Sequence, residues 1–186
     1  RERHVPHGPV DVLFTICEES GLRGAKHFDT TRLAARTGIV LDCDGVNELI
    51  TRAPAGEVLE ITVHGLEAHS GIAPERGISA IQVAAEAIAG MRLGRVDDET
   101  TANLGIIQGG LAGNIIPNRV FIRGETRSHS VEKLEAQVKH MRGCFEAAAA
   151  RHRVSVAGRE HVARVEVNVR RSYEPLALAD DSRMSD

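Results

Sequence analysis

Leu59-Glu60-Ile61-Thr62-Val63-His64, then Gly65-Leu66-Glu67-Ala68-His69-Ser70-Gly71, then Pro74 and an apolar run from Ile78 to Met91: this stretch decides the fold. Leu59, Ile61 and Val63 alternate with Glu60, Thr62 and His64, the period-two pattern of a half-buried strand. From Ile78 the period changes. Ile78, Ile81, Ala85, Ile88 and Met91 fall three or four apart, which predicts a helix over Pro74 to Met91 with that stripe on one face and proline near its start. A glycine-flanked turn displaying His69 joins the two.

Downstream the pattern repeats. Thr101 to Gln108 predicts a second strand, Gly109-Gly110 to Asn118 a loop, and Arg119 to Arg127 a third strand with Val120 and Ile122 on one face. Ser130 suits an N-cap. Behind it Leu134, Val138, Met141, Phe145 and Ala148 make one apolar stripe on an otherwise charged helix. Val165, Val167 and Val169 alternate with Glu166, Asn168 and Arg170 as a fourth strand. The order is βαββαβ. Two helices with one stripe each must then cover one face of a four-stranded antiparallel sheet, so the fold class is α+β with a ferredoxin-like domain over residues 54–173.

Upstream, Val10 to Ile16 has strand composition and ends on Glu18-Glu19, and Gly21 and Gly24 lead into a short helical stretch through His27. Gly38 to Leu41 predicts another strand, ending on Asp42, Cys43 and Asp44. Two strands would thus deliver carboxylates to one sheet edge, where open α/β sheets bind ligands. Arg52-Ala53-Pro54-Ala55-Gly56 reads as a crossing between domains. The expected organisation is residues 1–53 as part of an α/β catalytic domain, 54–173 inserted in it, and 174–186 as the start of the return.

Composition excludes some partners. A net charge of -3 with no Lys/Arg cluster and 3% aromatics argues against nucleic acid. No apolar run reaches the length of a membrane span, so the reading expects no membrane, no signal peptide and a cytoplasmic protein. Cys17, Cys43 and Cys144 are odd in number and scattered, which suits reduced thiols used in packing. The chain opens on Arg1 rather than Met and reads as a piece of something longer.

Four motifs, taken together, carry a resemblance: Phe14-Thr15 through Glu18-Glu19-Ser20-Gly21-Leu22-Arg23-Gly24-Ala25; Leu41-Asp42-Cys43-Asp44-Gly45; Ala68-His69-Ser70-Gly71; and Gly109-Gly110 through Asn114-Ile115-Ile116-Pro117 to Arg127. In this order around a βαββαβ insert, the chain resembles the dinuclear-zinc exopeptidases related to peptidase T, a family that includes desuccinylases, deacetylases and glutamate carboxypeptidases. The resemblance implies a zinc-bearing catalytic domain interrupted by a ferredoxin-like lid that forms a homodimer. It implies hydrolysis of short peptides or N-acyl amino acids by metal-activated water. It makes Glu18 the general base, Glu19 a zinc ligand and Asp42 a ligand of the other zinc, with Asp44 the substitute for Asp42. His69 is implied to reach the partner subunit's site and bond the oxyanion, and Asn114 and Arg127 to hold substrate.

The chemistry of these residue types agrees. Metal-assisted amide hydrolysis needs carboxylate or imidazole ligands and a carboxylate to take a proton from water, and adjacent glutamates can divide those tasks. An imidazole or amide can donate to an oxyanion, and guanidinium grips a terminal carboxylate with two bonds. The bland alternatives are surface acids for Glu18 and Glu19, a loop cap for Asn114 and an exposed strand end for Arg127. His64 competes with His69, but on the polar face of a strand it meets solvent. The family's His-x-Asp, bridging Asp and late His have no place in this sequence. The chain alone is therefore expected to bind zinc weakly and hydrolyse nothing, and a non-enzymatic ferredoxin-like interaction module stands as the alternative.

The lid is expected to dimerise through Thr101–Gln108, an edge strand without Pro, Lys or inward charge, and through the neighbouring helix, whose Ala80, Ala84, Ala87 and Ala89 would admit a symmetric partner. A monomer would instead cover that edge with the charged loop from Arg92 to Glu99.

Overall fold

The computed structural model describes residues 6–42, 45 and 48–179, and the chain divides into two compact units, Thr51–Leu178 and the residues flanking it. In chain order the elements are α1 (Arg23–His27), β1 (Arg52–Ala53), β2 (Ala55–His64), β3 (Ala68–His69), α2 (Ala80–Ala89), β4 (Gly94–Arg95), β5 (Thr100–Gly109), β6 (Ile115–Ile116), β7 (Arg119–Ser128), α3 (Val131–Arg151), β8 (Arg153–Val156), β9 (Arg159–Val162), β10 (Arg164–Tyr173) and β11 (Leu176–Ala177).

The larger unit is built on an antiparallel sheet in the order β10-β2-β7-β5-β4. Along β2 the alternation read from sequence is realised: Leu59, Ile61 and Val63 are fully buried while Glu60, Thr62 and His64 are half-buried on the other face. Val120 and Ile122 of β7 join them, and Met141, Phe145 and Ala148 of α3 close the layer. Each large side chain so buried contributes roughly 1.5–3 kcal/mol. Ser130 caps α3 by accepting from the Lys133 N–H at 3.2 Å. The α+β, ferredoxin-like βαββαβ fold is present as β2-α2-β5-β7-α3-β10.

Three features differ from the sequence reading. The helix expected from Pro74 begins at Ala80, because Pro74–Arg76 forms a separate 3-10 turn and Ser79 supplies the cap, accepting from the Gln82 N–H at 3.3 Å. Its faces are also exchanged. Ala80, Val83, Ala84 and Ala87 are buried, whereas Ile81 is 47% exposed and Ala85 and Ala89 are exposed. The helix is apolar nearly all round, so spacing could not say which stripe packs; the small side chains won because α2 lies close against the sheet and α3. Finally, a hairpin, β8 with β9, separates α3 from β10, turning at Ala157 and Gly158 with φ 51° and 78°.

The edge strand is partly protected. Gly94 and Arg95 pair with Ala102 and Thr101, so the charged loop covers the beginning of β5, and a bulge between Leu104 and Ile106 follows. Beyond that, no described strand pairs with the outer side of β5, and Ile106 and Ile107 are 41% and 58% exposed. At the opposite end of the sheet, β1 pairs with β11, so the strands by which the chain enters and leaves this unit are hydrogen-bonded to each other.

In the smaller unit α1 forms where a helical stretch was expected. Neither Val10–Ile16 nor Gly38–Leu41 is in a ladder, contrary to expectation. Phe14 is 90% and Leu41 93% exposed. A strand exists only when a neighbour completes its hydrogen bonds, and among the described residues none does so here.

Candidate functional site

His69 and Asn114, 45 positions apart in sequence, are brought together. β3 pairs with β6 so that His69 faces Ile115, and the Ser70 N–H donates to the Asn114 carbonyl at 3.0 Å. The turn is fixed to the same loop by further bonds: Gly65 N–H to the Asn118 carbonyl at 2.8 Å and Ala80 N–H to the Pro117 carbonyl at 2.8 Å. Gly65 must be glycine, since a Cβ there would lie 2.0 Å from the Ile78 carbonyl oxygen. His69 itself is exposed, and its Nδ1 accepts from the Gly71 N–H at 3.2 Å. The neutral ring therefore carries its proton on Nε2, which makes that atom a donor toward whatever faces it. Beside this pair the Gly109-Gly110 loop and Glu67, Asn118, Arg119 and Phe121 line an open cleft of about 450 Å³.

Arg127 is elsewhere. It lies at the end of β7 opposite Gly56, whereas Arg119 at the other end of the same strand is opposite His64, from which the His69 turn departs. Eight residues of strand put about 26 Å between the two ends. One nitrogen, Nη2, meets both carboxylate oxygens of Glu125, at 3.0 and 3.1 Å, and this contact holds the guanidinium above its ordinary pKa. The guanidinium carbon stands 5.9 Å from the centre of the Tyr173 ring. Sequence reading found neither neighbour.

His64, the competing histidine, is half-buried on the open face of the sheet rather than solvated, with Nε2 3.2 Å from a Glu166 oxygen but not aligned for a hydrogen bond.

Glu18 and Glu19 lie in a turn, not at a strand end. The Glu18 carbonyl accepts from the Gly21 and Leu22 N–H groups at 2.9 and 2.8 Å, and Cys17 before it takes φ 58°. Both glutamates and Asp42 are exposed, and Cys17 is exposed too, so it has no packing role. Asp44 and Cys43 lie outside the described residues. A structural zinc site takes four protein ligands and a catalytic one three. Among the described residues, no group of three or more His, Cys, Asp or Glu side chains is arranged to hold a metal, so the described residues by themselves do not complete a zinc centre. No described helix is long and apolar enough to cross a membrane.

Residues 58–153 match the model of the peptidase dimerisation domain of the M20 family. The chain is similar to the uncharacterized protein YqjE of Bacillus subtilis, 46% identical over 151 residues that are 81% of this chain and 41% of the relative. Among solved structures it resembles the aminopeptidase PepT of Bacillus cereus, with 43% identity and a TM-score of 0.76, covering 91% of this chain and 43% of that one. A tripeptidase of Staphylococcus aureus superposes with a TM-score of 0.81 at 37% identity, over 91% and 43% of the two chains. The chain thus spans about four-tenths of the length of these relatives.

Proposed function

Because the chain belongs to the M20 peptidase family, through its dimerisation domain, we propose that it is the lid, with flanking parts of the catalytic domain, of a cytoplasmic metal-dependent exopeptidase acting on short peptides or N-acyl amino acids. The likeness to an aminopeptidase and a tripeptidase over nine-tenths of the chain supports the peptide reading. In the whole enzyme Glu19 and Asp42 are two carboxylate ligands of a dinuclear zinc centre and Glu18 is its neighbouring base. The donors that complete the centre are not among the described residues.

The observation that carries the proposal further is the separation within the lid. His69 and Asn114 share one loop pair, and Arg127 lies about 26 Å away along β7. A dipeptide or tripeptide cannot touch both ends of that strand. His69 and Asn114 therefore serve the active site of a partner subunit, donating to the oxyanion and the substrate carbonyl, and Arg127 serves the site of its own subunit, gripping the substrate carboxylate. The open outer side of β5, with Ile106, Ile107 and the nearby Ile81, is the surface on which the two lids meet.

Subunit complementation tests this in the full-length protein. His69→Ala and Arg127→Ala are each inactive as homodimers. Mixed dimers regain activity, because one of their two sites then has an intact Arg127 from its own chain and an intact His69 from the partner. If both residues served one chain's site, or both the partner's, mixing would restore nothing.

A further inference from the structure

Tyr173 stands on the open face of the sheet only because β10 is irregular. Arg171 pairs with Glu57, and the next pairing joins Tyr173, not Ser172, to Gly56; the extra residue exchanges the two side chains between faces. Gly56 is also the partner of Arg127 on the other side, so Tyr173, Gly56 and Arg127 form one row across three strands. The phenol lies over Gly56 so closely that a Cβ there would come within 2.6 Å of Cζ and 2.7 Å of the hydroxyl. The ring reaches past that gap to the guanidinium, 5.9 Å from its centre. On its other side Arg127 is bonded to Glu125 through Nη2 alone, and its Nε and Nη1 have no partner among the described residues.

We propose that Tyr173 is a positioning residue: the β10 bulge aims its ring across Gly56 to hold the Arg127 guanidinium, with Glu125 fixing one nitrogen, so that Nε and Nη1 are presented as a ready fork to a substrate carboxylate. This rests on the reading of Arg127 as the carboxylate anchor. Restricting a long side chain before binding lowers the ordering cost of the contact, and an aromatic face supplies attraction without competing for the donors. Burial raises the phenol's pKa, and the Arg127 cation opposes that rise.

The chain contains one tyrosine and no tryptophan, so tyrosinate absorbance and emission report on this residue alone. In a spectrophotometric titration, Arg127→Gln is expected to move the phenol's midpoint upward, since the nearby cation is lost. An unmoved midpoint overturns the contact. Affinity for trialanine and for its C-terminal amide, measured by NMR titration of the chain, tests the consequence. The free carboxylate should bind better than the amide; Tyr173→Leu and Gly56→Ala should each weaken it about tenfold, and Tyr173→Phe should restore it. Circular dichroism of the Leu and Ala variants confirms that the sheet is intact. If Arg127→Gln weakens binding and Tyr173→Leu does not, the positioning role fails and the anchor stands. If Arg127→Gln binds as well as the unmodified chain, or the unmodified chain prefers the amide or binds neither peptide, both fail.

Discussion

At Cys17 the backbone takes φ 58°, a left-handed conformation that costs a non-glycine residue about 1–2 kcal/mol. It opens the tight turn that carries Glu18 and Glu19, in which the Glu18 carbonyl accepts from the Gly21 and Leu22 N–H groups. Adjacent acids can divide the proposed work, one binding metal and one taking a proton, and their substitutions then differ in effect. In the full-length enzyme Glu18→Ala is expected to lower turnover by roughly two to four powers of ten while sparing metal content, the loss typical of a general base. Glu19→Ala should lose metal as well. Metal analysis of the two purified variants checks this, and the reverse pattern would exchange the roles. The turn that displays His69 was legible in the sequence. The tautomer that makes His69 Nε2 a donor was not, because it depends on the Gly71 N–H folding back onto Nδ1. Nor was Tyr173, since a one-residue bulge leaves no trace in an alternating pattern.

Among the elements, α2 and β5 carry the proposed interface between lids. α2 buries Ala80, Ala84 and Ala87 and leaves Ile81 exposed near Gly110, just past the end of β5, where Ile106 and Ile107 are also exposed. Exposed apolar side chains beside a strand that is open along much of its outer side leave such a surface incomplete by itself. Light scattering over a dilution series is expected to give a dimeric mass at micromolar concentration, and Ile81→Lys with Ile106→Lys a monomeric one. A monomer for the unmodified chain would remove the interface. The connection from α2 to α3 makes a second prediction. The His140 Nε2 accepts from the Arg92 N–H at 3.1 Å, and the Arg92 carbonyl accepts from Gln137 at 2.8 Å. Burial, aided by the Arg92 charge, lowers the His140 pKa, so the unfolded chain binds this proton more readily than the folded one. Stability from this group is therefore complete above the unfolded pKa of about 6.5 and falls as pH drops below it. Urea midpoints from pH 7.5 to 5 should decline more steeply for the unmodified protein than for His140→Gln, which keeps an acceptor but cannot titrate. The four long strands and the existence of α2 and α3 were readable because strand and helix periods differ. The position of α2's buried face and the cover that β4 gives β5 were not, because both are decided by neighbours distant in sequence.

For the whole molecule, the two units differ in how completely their sequences satisfy themselves. The larger unit pairs its long strands and buries one face of each, so its βαββαβ order could be read from the strand and helix periods. The smaller contains strand-like runs, Val10–Ile16 and Gly38–Leu41, that remain exposed and unpaired among the described residues; local composition supplied the propensity, and a ladder needs a partner. The same incompleteness governs the chemistry. Glu19 and Asp42 without imidazole donors make a poor zinc site, so calorimetry of the chain with zinc should show only weak binding, and the chain should release no product from a tripeptide. A tight two-ion isotherm would contradict this ligand assignment. The pairing of β1 with β11 has a different consequence. Because the unit's first and last strands are clasped together, its ends occupy one place, and a host chain can accept it at a single loop with little closure entropy lost. The unit is thus built as a cassette: residues 51–178 could be excised and joined by a short linker into a circularly permuted protein, or grafted into a single loop of an unrelated scaffold.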